Sequence, residues 1–279
     1  MPRRLGQRLG QHFLKDRKAL RKIVAALEIA SRDTIVEIGP GHGELTKHLL
    51  AAGPKKIIAI EKDSKLVSGI EYQVSSKRIK IIEGDALKIL PLLNTKYLIR
   101  DTRYKLTGNI PYYITGHLLR KISELEKKPK LVVLTIQKEV AERIVAEPPK
   151  MNLLAASVQF WGEPKILGYI SKKSFRPQPK VDSAVIKISP YPVKPLRGHG
   201  ASPKQSSQKE AEKYYRFIKI LFKQPRKTIL NNLREGFKLS QEEVERRLQK
   251  LNISPSLRPA NLSMHDINKL ALIFTDKRV

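Results

Sequence analysis

From Thr34 onward, short runs of β-branched and aliphatic residues alternate with stretches whose apolar positions recur every three to four residues. Residues 34–38, 57–60, 79–82, 105–108, 131–136 and 184–188 read as strands. Between them, Leu45, Leu49 and Leu50, the stretch near 64–74, then Leu118, Leu119 and Ile122, and the charged stretch 138–145 read as helices. Alternation of this kind predicts right-handed βαβ units and a mostly parallel sheet. The pattern breaks over residues 190–209, which hold Pro190, Pro192, Pro195 and Pro203 among glycine, serine and lysine, with little to bury. That composition predicts a linker. Beyond it the period is purely helical. Tyr214, Phe217, Ile218, Leu221 and Phe222 share one face, Ser240 with Glu243 makes a capping box, and Ser263 is placed to cap a last helix carrying Ile267, Leu270 and Phe274. The expected organisation is an α/β domain over 1–189, a linker over 190–209 and a small all-helical domain over 210–279. A chain of 279 residues suits two domains.

Charge adds a partner to this picture. Lysine and arginine number 55 against 26 acids, a formal charge of +29, which points to a polyanion: nucleic acid first, an anionic membrane surface second. There is no cysteine, which excludes disulfides, thiolate zinc sites, iron–sulfur clusters and cysteine nucleophiles. The histidines show no ligand spacing, so no metal is expected. No apolar run approaches the ~18 residues that span a bilayer, and the basic N-terminus lacks the apolar stretch of a signal peptide. Motif-like sequence begins by Gly10, too early for a transit peptide. The expectation is a cytoplasmic protein with no membrane partner. Arg3, Arg4, Arg8, Lys15, Arg17, Lys18, Arg21 and Lys22 stand against Asp16 alone in the first 23 residues. They predict a flexible basic arm over 1–23 that grips RNA phosphate.

Candidate chemistry lies where the predicted strands end. Val36-Glu37-Ile38-Gly39-Pro40-Gly41-His42-Gly43 follows the first strand and opens a helix. Glycines at 39, 41 and 43 let a ligand approach the backbone, with a helix N-terminus behind them. Glu61 ends the second strand, where an acid can grip ribose hydroxyls, and Asp85 ends the third, where it could accept from an adenine amine. Each acid alone reads as readily as a strand-end cap. Together with the glycine turn they argue for an adenosine-containing ligand. The fourth strand runs into Gly108-Asn109-Ile110-Pro111-Tyr112-Tyr113. An exocyclic amine on a base is a poor nucleophile because its lone pair is delocalised into the ring. Acceptors at the Asn109 side chain and the Ile110 carbonyl would favour a tetrahedral nitrogen. Pro111 would fix the turn, and Tyr112 would offer a face for the base.

The order G-x-G-x-G, Glu, Asp, Asn-Ile-Pro-Tyr resembles the class I S-adenosylmethionine-dependent methyltransferases that act on exocyclic amines. Gly10-Gln11-His12-Phe13-Leu14 and Phe175-Arg176-Pro177-Gln178-Pro179-Lys180-Val181-Asp182-Ser183 are similar to segments of the ribosomal RNA adenine dimethyltransferase family, and the similarity continues through Arg226-Lys227-Thr228 and Asn231-Asn232-Leu233. Position 12 is His where many members have Asn, and Ile110 replaces the commoner Leu. The resemblance implies a Rossmann-like, mostly parallel seven-stranded sheet with a helical C-terminal domain. It implies two methyl transfers from S-adenosylmethionine to N6 of adenosine in small-subunit ribosomal RNA, by a monomer acting on the small ribosomal subunit. By that resemblance His12, Leu14, Gly39, Gly41, Glu61, Asp85 and Asn109 line the cofactor site. Asn109, Ile110, Pro111, Tyr112 and Phe175 handle the base, Tyr112 and Phe175 sandwiching its ring. Arg3, Arg4, Arg8, Arg226 and Lys227 contact RNA.

Three other readings compete. A large-subunit methyltransferase of the antibiotic-resistance branch fits the catalytic motifs but less well the Phe-Arg-Pro-Gln-Pro-Lys-Val-Asp-Ser segment. A non-catalytic ribosome-assembly factor would not need Gly39, Glu61, Asp85, Asn109 and Tyr112 all intact. A nicotinamide-dependent dehydrogenase explains neither Asn-Ile-Pro-Tyr nor the charge.

Overall fold

The computed structural model describes residues 11–74, 76–93, 104–192 and 203–275. In chain order these form β1 (Phe13–Leu14), α1 (Arg17–Ala26), β2 (Thr34–Ile38), α2 (Glu44–Ala51), β3 (Lys56–Glu61), α3 (Ser64–Gln73), β4 (Ile79–Glu83), α4 (Ala86–Ile89), β5 (Tyr104–Asn109), α5 (Thr115–Glu124), β6 (Leu131–Gln137), α6 (Lys138–Ile144), α7 (Leu153–Gln159), β7 (Gly162–Ile170), β8 (Phe175–Arg176), β9 (Ser183–Pro190), α8 (Pro203–Leu221), α9 (Ile229–Phe237), α10 (Gln241–Gln249) and α11 (Met264–Thr275). The sheet runs β4-β3-β2-β5-β6-β9-β7. Its β4 to β6 pairings are parallel, and β9 joins β6 antiparallel. Rows such as Val36, Ile58, Leu106 and Val132 on one face and Ile35, Ile57 and Leu131 on the other are buried, as a sheet covered on both sides requires.

Register decides where the chemistry falls. Ile38 lies beside Ile60 on one side and Gly108 on the other, so Gly39, Glu61 and Asn109 emerge at one edge. Strand order reverses between β2 and β5, the switch point where open α/β sheets bind ligands. Gly108 is needed there: a Cβ would come within 2.4 Å of the Ile38 carbonyl oxygen.

The chain divides into two compact units, one of Met1–Ala141 with Glu163–Tyr191 and one of Glu142–Gly162 with Pro192–Val279. The expected single boundary near 190 is corrected by this division, because residues 142–162 group with the C-terminal helices. Their α7 supplies Ala155 and Ala156 to the second core, where Tyr214 stacks on Phe160 at 3.8 Å and donates its hydroxyl to the Ala156 carbonyl. The expected caps are present. Ser240 Oγ accepts from the Glu243 N–H at 3.2 Å and Ser263 Oγ from the Asp266 N–H at 3.1 Å. Two expectations shift. Helix α8 starts at Pro203, inside the expected linker. The expected arm of 1–23 is helical from Arg17, because Asp16 caps α1 through the Lys18 and Ala19 N–H groups and Leu20 and Ile23 bury one face. The linker residues 193–202 lie outside the described residues.

Candidate active site

The glycine turn is built for close approach. Gly39, Gly41 and Gly43 have φ of +65°, +61° and +82°, the left-handed region that glycine enters at little strain. The Gly39 N–H donates to the Ile60 carbonyl and the Gly43 N–H to the Pro40 carbonyl, each at 2.9 Å. A Cβ on Gly41 would come within 2.7 Å of the Phe13 ring, so the turn and the N-terminal segment fit only because that side chain is absent. Gly43 caps α2 without a side-chain acceptor, leaving first-turn N–H groups for a ligand.

Three carboxyls surround this turn. Glu61 is buried; its Oε2 accepts from the Gly41 N–H at 3.2 Å, and its Oε1 from the Lys62 and Asp63 N–H groups at 2.8 and 2.9 Å. Burial raises its pKa in spite of these donors. Asp85 caps α4 through the Leu87 N–H at 2.9 Å and meets the Lys62 ammonium at 3.1 Å. Burial opposes its ionisation, but those two partners hold it below the ordinary range. Glu37 sits inside β2, 1 % exposed, and burial pushes it up to about 8. Its Oε2 accepts from the Thr46 hydroxyl at 2.7 Å, and the charges of Glu61 and Glu44 raise it further.

The Asn-Ile-Pro-Tyr turn closes the crevice. Asn109 Nδ2 donates to the His12 carbonyl at 2.6 Å. That carbonyl can only accept, so the amide nitrogen is turned towards it and Oδ1 is left for another donor. The Ile110 N–H donates to the Thr135 carbonyl at 3.1 Å, which fixes the Asn109–Ile110 peptide just before the Ile110 carbonyl. Pro111 precedes a single 3₁₀ turn, Tyr112–Ile114, and the Tyr112 hydroxyl lies 3.0 Å from Ser183 Oγ. A pocket of about 350 Å³, counting solvent at its mouth, is lined by Phe13, Leu14, Glu37, Gly39, Pro40, Glu44, Leu45 and Asn109 among others.

The N-terminal and signature segments meet beside it. Phe13 pairs with Arg176 and Leu14 with Phe175 in a two-stranded sheet. Phe175, expected to handle the base, is buried in this pairing. It is 2 % exposed and packs in the core with Leu14, Leu20 and Ile23, because its strand faces β1 and turns the ring inward. Tyr112, in the turn after Asn109, is half-buried.

A profile described as "Ribosomal RNA adenine dimethylase" matches residues 3–276. The chain is 36 % identical over 269 residues to the "Ribosomal RNA small subunit methyltransferase A" of Dehalococcoides mccartyi, covering 96 % of this chain and 88 % of that protein. It is equally 36 % identical over 271 residues to the protein of that name from Mycoplasmopsis pulmonis, covering 96 % and 98 %. The chain belongs to the ribosomal RNA adenine dimethylase family. A dimethyladenosine transferase from Plasmodium falciparum shares its structure with a TM-score of 0.75 at 28 % identity, over 94 % of this chain and 97 % of that one. The 23S rRNA methyltransferase ErmE shares the fold, with a TM-score of 0.70 at 22 % identity, over 95 % and 100 %. This dimethylase is therefore a class I, S-adenosylmethionine-dependent methyltransferase.

The residues present fit that methyl donor. It carries a cationic sulfonium and an ammonium, and the pocket presents the buried Glu37 carboxyl, whose charged neighbours are carboxylates. It carries a ribose with two hydroxyl donors, and Glu61 ends β3 beside the glycine turn. Among the described residues no group of three or more His, Asp or Glu is arranged to hold a metal ion, and no helix is long and apolar enough to cross a membrane.

The dimethylase thus brings His12, Leu14, Gly39, Gly41, Glu61, Asn109, Ile110, Pro111 and Tyr112 to one strand edge, with Asp85 one strand further out. Arg3, Arg4 and Arg8 lie outside the described residues. Arg226 and Lys227 are exposed in the turn before α9, Lys227 paired with Glu235 at 3.0 Å. Sequence reasoning missed Glu37 and Ser183. An acid within an otherwise apolar buried strand was the available signal for Glu37. Ser183 had none, since its meeting with Tyr112 is made by tertiary structure alone.

Proposed function

We propose that this enzyme transfers two methyl groups from S-adenosylmethionine to N6 of adenosine in small-subunit ribosomal RNA, acting as a cytoplasmic monomer on the small ribosomal subunit. The observation that carries the reading is the Asn109 amide. With Nδ2 committed to the His12 carbonyl, Oδ1 is a preorganised acceptor beside the pocket, and the Ile110 carbonyl follows it in the same turn. Two acceptors so placed hold an exocyclic amine, and they match an adenine better than a hydroxyl or a carbon nucleophile.

The methyl donor supplies its own electrophile, so the protein needs neither a metal nor a strong base. As nitrogen bonds to the methyl carbon, the carbon–sulfur bond breaks, the sulfur leaves as a neutral thioether, and the amine gives its proton to solvent. Asn109 and Ile110 orient the nitrogen, Tyr112 supports the ring, and Glu61 and Asp85 hold the donor's adenosine. Glu37 compensates its positive charge. Catalysis comes mainly from positioning. The target adenosine must be unstacked to enter, and the exposed Arg226 and Lys227, with Arg3, Arg4 and Arg8, supply phosphate contacts that make RNA binding steeply salt-dependent.

Methyl transfer from labelled donor to small subunits lacking adenosine dimethylation, with naked RNA and large subunits alongside, tests this directly. Dimethyladenosine on small subunits alone is the expected result. Label on large subunits would move the substrate to the other subunit. Binding without label would make the protein an assembly factor.

A further inference from the structure

One short segment touches the base-handling turn, the glycine turn and the 175–183 segment. The His12 carbonyl accepts from Asn109 Nδ2 at 2.6 Å, and the His12 ring donates from Nδ1 to the Pro177 carbonyl at 2.8 Å. The same ring lies 5.8 Å from the Tyr112 ring, tilted by 31°. On either side of this point the segment is tied down. Phe13 packs on His42 at 4.3 Å, Phe13 and Leu14 pair with Arg176 and Phe175, and the Lys15 N–H donates to the Ser174 carbonyl at 2.8 Å.

We propose that His12 is a positioning residue for methyl transfer, setting the Asn109 amide through its carbonyl and bracing Tyr112 through its ring. This rests on the roles given to Asn109 and Tyr112 above, and it differs from the cofactor contact that the family resemblance implies for position 12. The reason is geometric. If the Asn109 amide flipped, Oδ1 would face the His12 oxygen at 2.6 Å, two acceptors in repulsive contact. The flip is therefore excluded as long as the His12 carbonyl stays where it is, and that carbonyl is held by the ring's bond to Pro177 together with the pairing of Phe13 and Leu14 with Arg176 and Phe175. Remove the ring and the backbone at 12 loses the tie made by its own side chain. The partner of the amide is then less firmly placed, and Tyr112 loses a neighbour.

Substitutions separate these ties. Asn carries Nδ2 the same number of bonds from Cα as histidine Nδ1, so His12→Asn keeps a donor for Pro177 while losing the ring. His12→Phe keeps a ring against Tyr112 and loses the donor, and His12→Ala loses both. Turnover at saturating donor and subunits, donor affinity by calorimetry, melting temperature, and the side-chain amide resonances of ¹⁵N-labelled Asn109 are measured for each. Displacing a reacting group by about 1 Å costs ~100-fold, so His12→Ala is expected to lower turnover ~10- to 100-fold. Donor affinity should stay within about 3-fold, the signature of lost positioning rather than lost binding. Asn109 amide protons should lose protection from exchange in His12→Ala and His12→Phe and keep it in His12→Asn, which recovers most of the turnover.

Unchanged turnover in His12→Ala would overturn the proposal. So would a loss that excess donor restores, since His12 would then be a cofactor contact. A fall in melting temperature that accounts for the activity loss, with Asn109 amide protection unaltered, would reduce His12 to a structural brace and overturn it equally. If the wild type methylates no RNA, the functional reading fails by itself, and the amide resonances still decide whether His12 sets Asn109.

Discussion

The two ends of the parallel sheet treat buried carboxyls in opposite ways. At the end where the strands begin, Asp33 is 4 % exposed and its Oδ2 meets the Lys105 ammonium at 2.7 Å. Lys105 also donates to the Glu28 carbonyl. Burial disfavours the Asp33 charge, yet Lys105 and the Ala30 N–H hold its pKa below the ordinary range. At the end where the strands finish, Glu37 and Glu61 are as deeply buried, and both are raised. Glu37 has a hydroxyl and two further carboxylates acting on it. The first end is closed and compensated; at the second, Glu37 and Glu61 meet hydrogen-bond donors and other carboxylates, and a cationic ligand can bring the charge they lack. An uncompensated acid in a cleft marks a functional edge, and the paired one marks a structural edge.

Breaking the closed end should cost stability and nothing else. Lys105→Met leaves Asp33 buried without its cation, a loss of ~3–5 kcal/mol for a broken buried pair, seen as a lower melting temperature with donor affinity unchanged. An equal loss of donor affinity would erase the distinction between the ends. Asn109→Ala acts at the open end: turnover should fall ~100-fold, the scale of one preorganised polar group, while calorimetry still finds the donor bound. Glu61→Gln keeps the volume and removes the charge. Donor affinity should weaken ~10-fold, the range for hydrogen bonds to a charged group, with melting temperature of the free protein held or raised.

The pH dependence distinguishes the ends by sign. The folded Glu37 carboxyl titrates near 8 against an ordinary 4.5, so the folded state binds more protons between those values. Its contribution to stability is full below pH 4.5 and is lost as pH rises through 8, by at most about 1.4 kcal/mol per pH unit. Asp33, with its pKa lowered, contributes above its unfolded pKa and loses that contribution as pH falls through the folded value. Melting temperatures from pH 5 to 8.5 should fall less steeply in Glu37→Gln than in wild type. A slope unchanged by the substitution would mean that Glu37 ionises freely.

The chemistry was legible where it is carried by contiguous residues. Gly39-Pro40-Gly41-His42-Gly43 and Asn109-Ile110-Pro111-Tyr112 are local devices whose backbone needs are written in glycine and proline, and the register of β2, β3 and β5 brings them together as the alternating pattern implies. For Phe175 the motif gives a position along the chain but not the direction of the ring. That direction is set by pairing with Leu14 across 161 positions. Helix α1 was hidden by its charge: Arg17, Lys18, Arg21 and Lys22 read as an arm, while the buried face of the helix rests on Leu20 and Ile23.

By itself the sequence determined the α/β order, the basic character, the glycine turn after β2 and the Asn-Ile-Pro-Tyr turn after β5, because composition and local pattern carry each of them. Tertiary structure alone decided which way the Asn109 amide points, that the Phe175 ring is buried, and which buried acids keep a cation. Those outcomes rest on contacts between His12 and Asn109, Phe175 and Leu14, and Asp33 and Lys105. Hydrogen bonding and desolvation act on atoms a few ångströms apart in space, and the spacing of residues along a chain does not encode which distant atoms those will be.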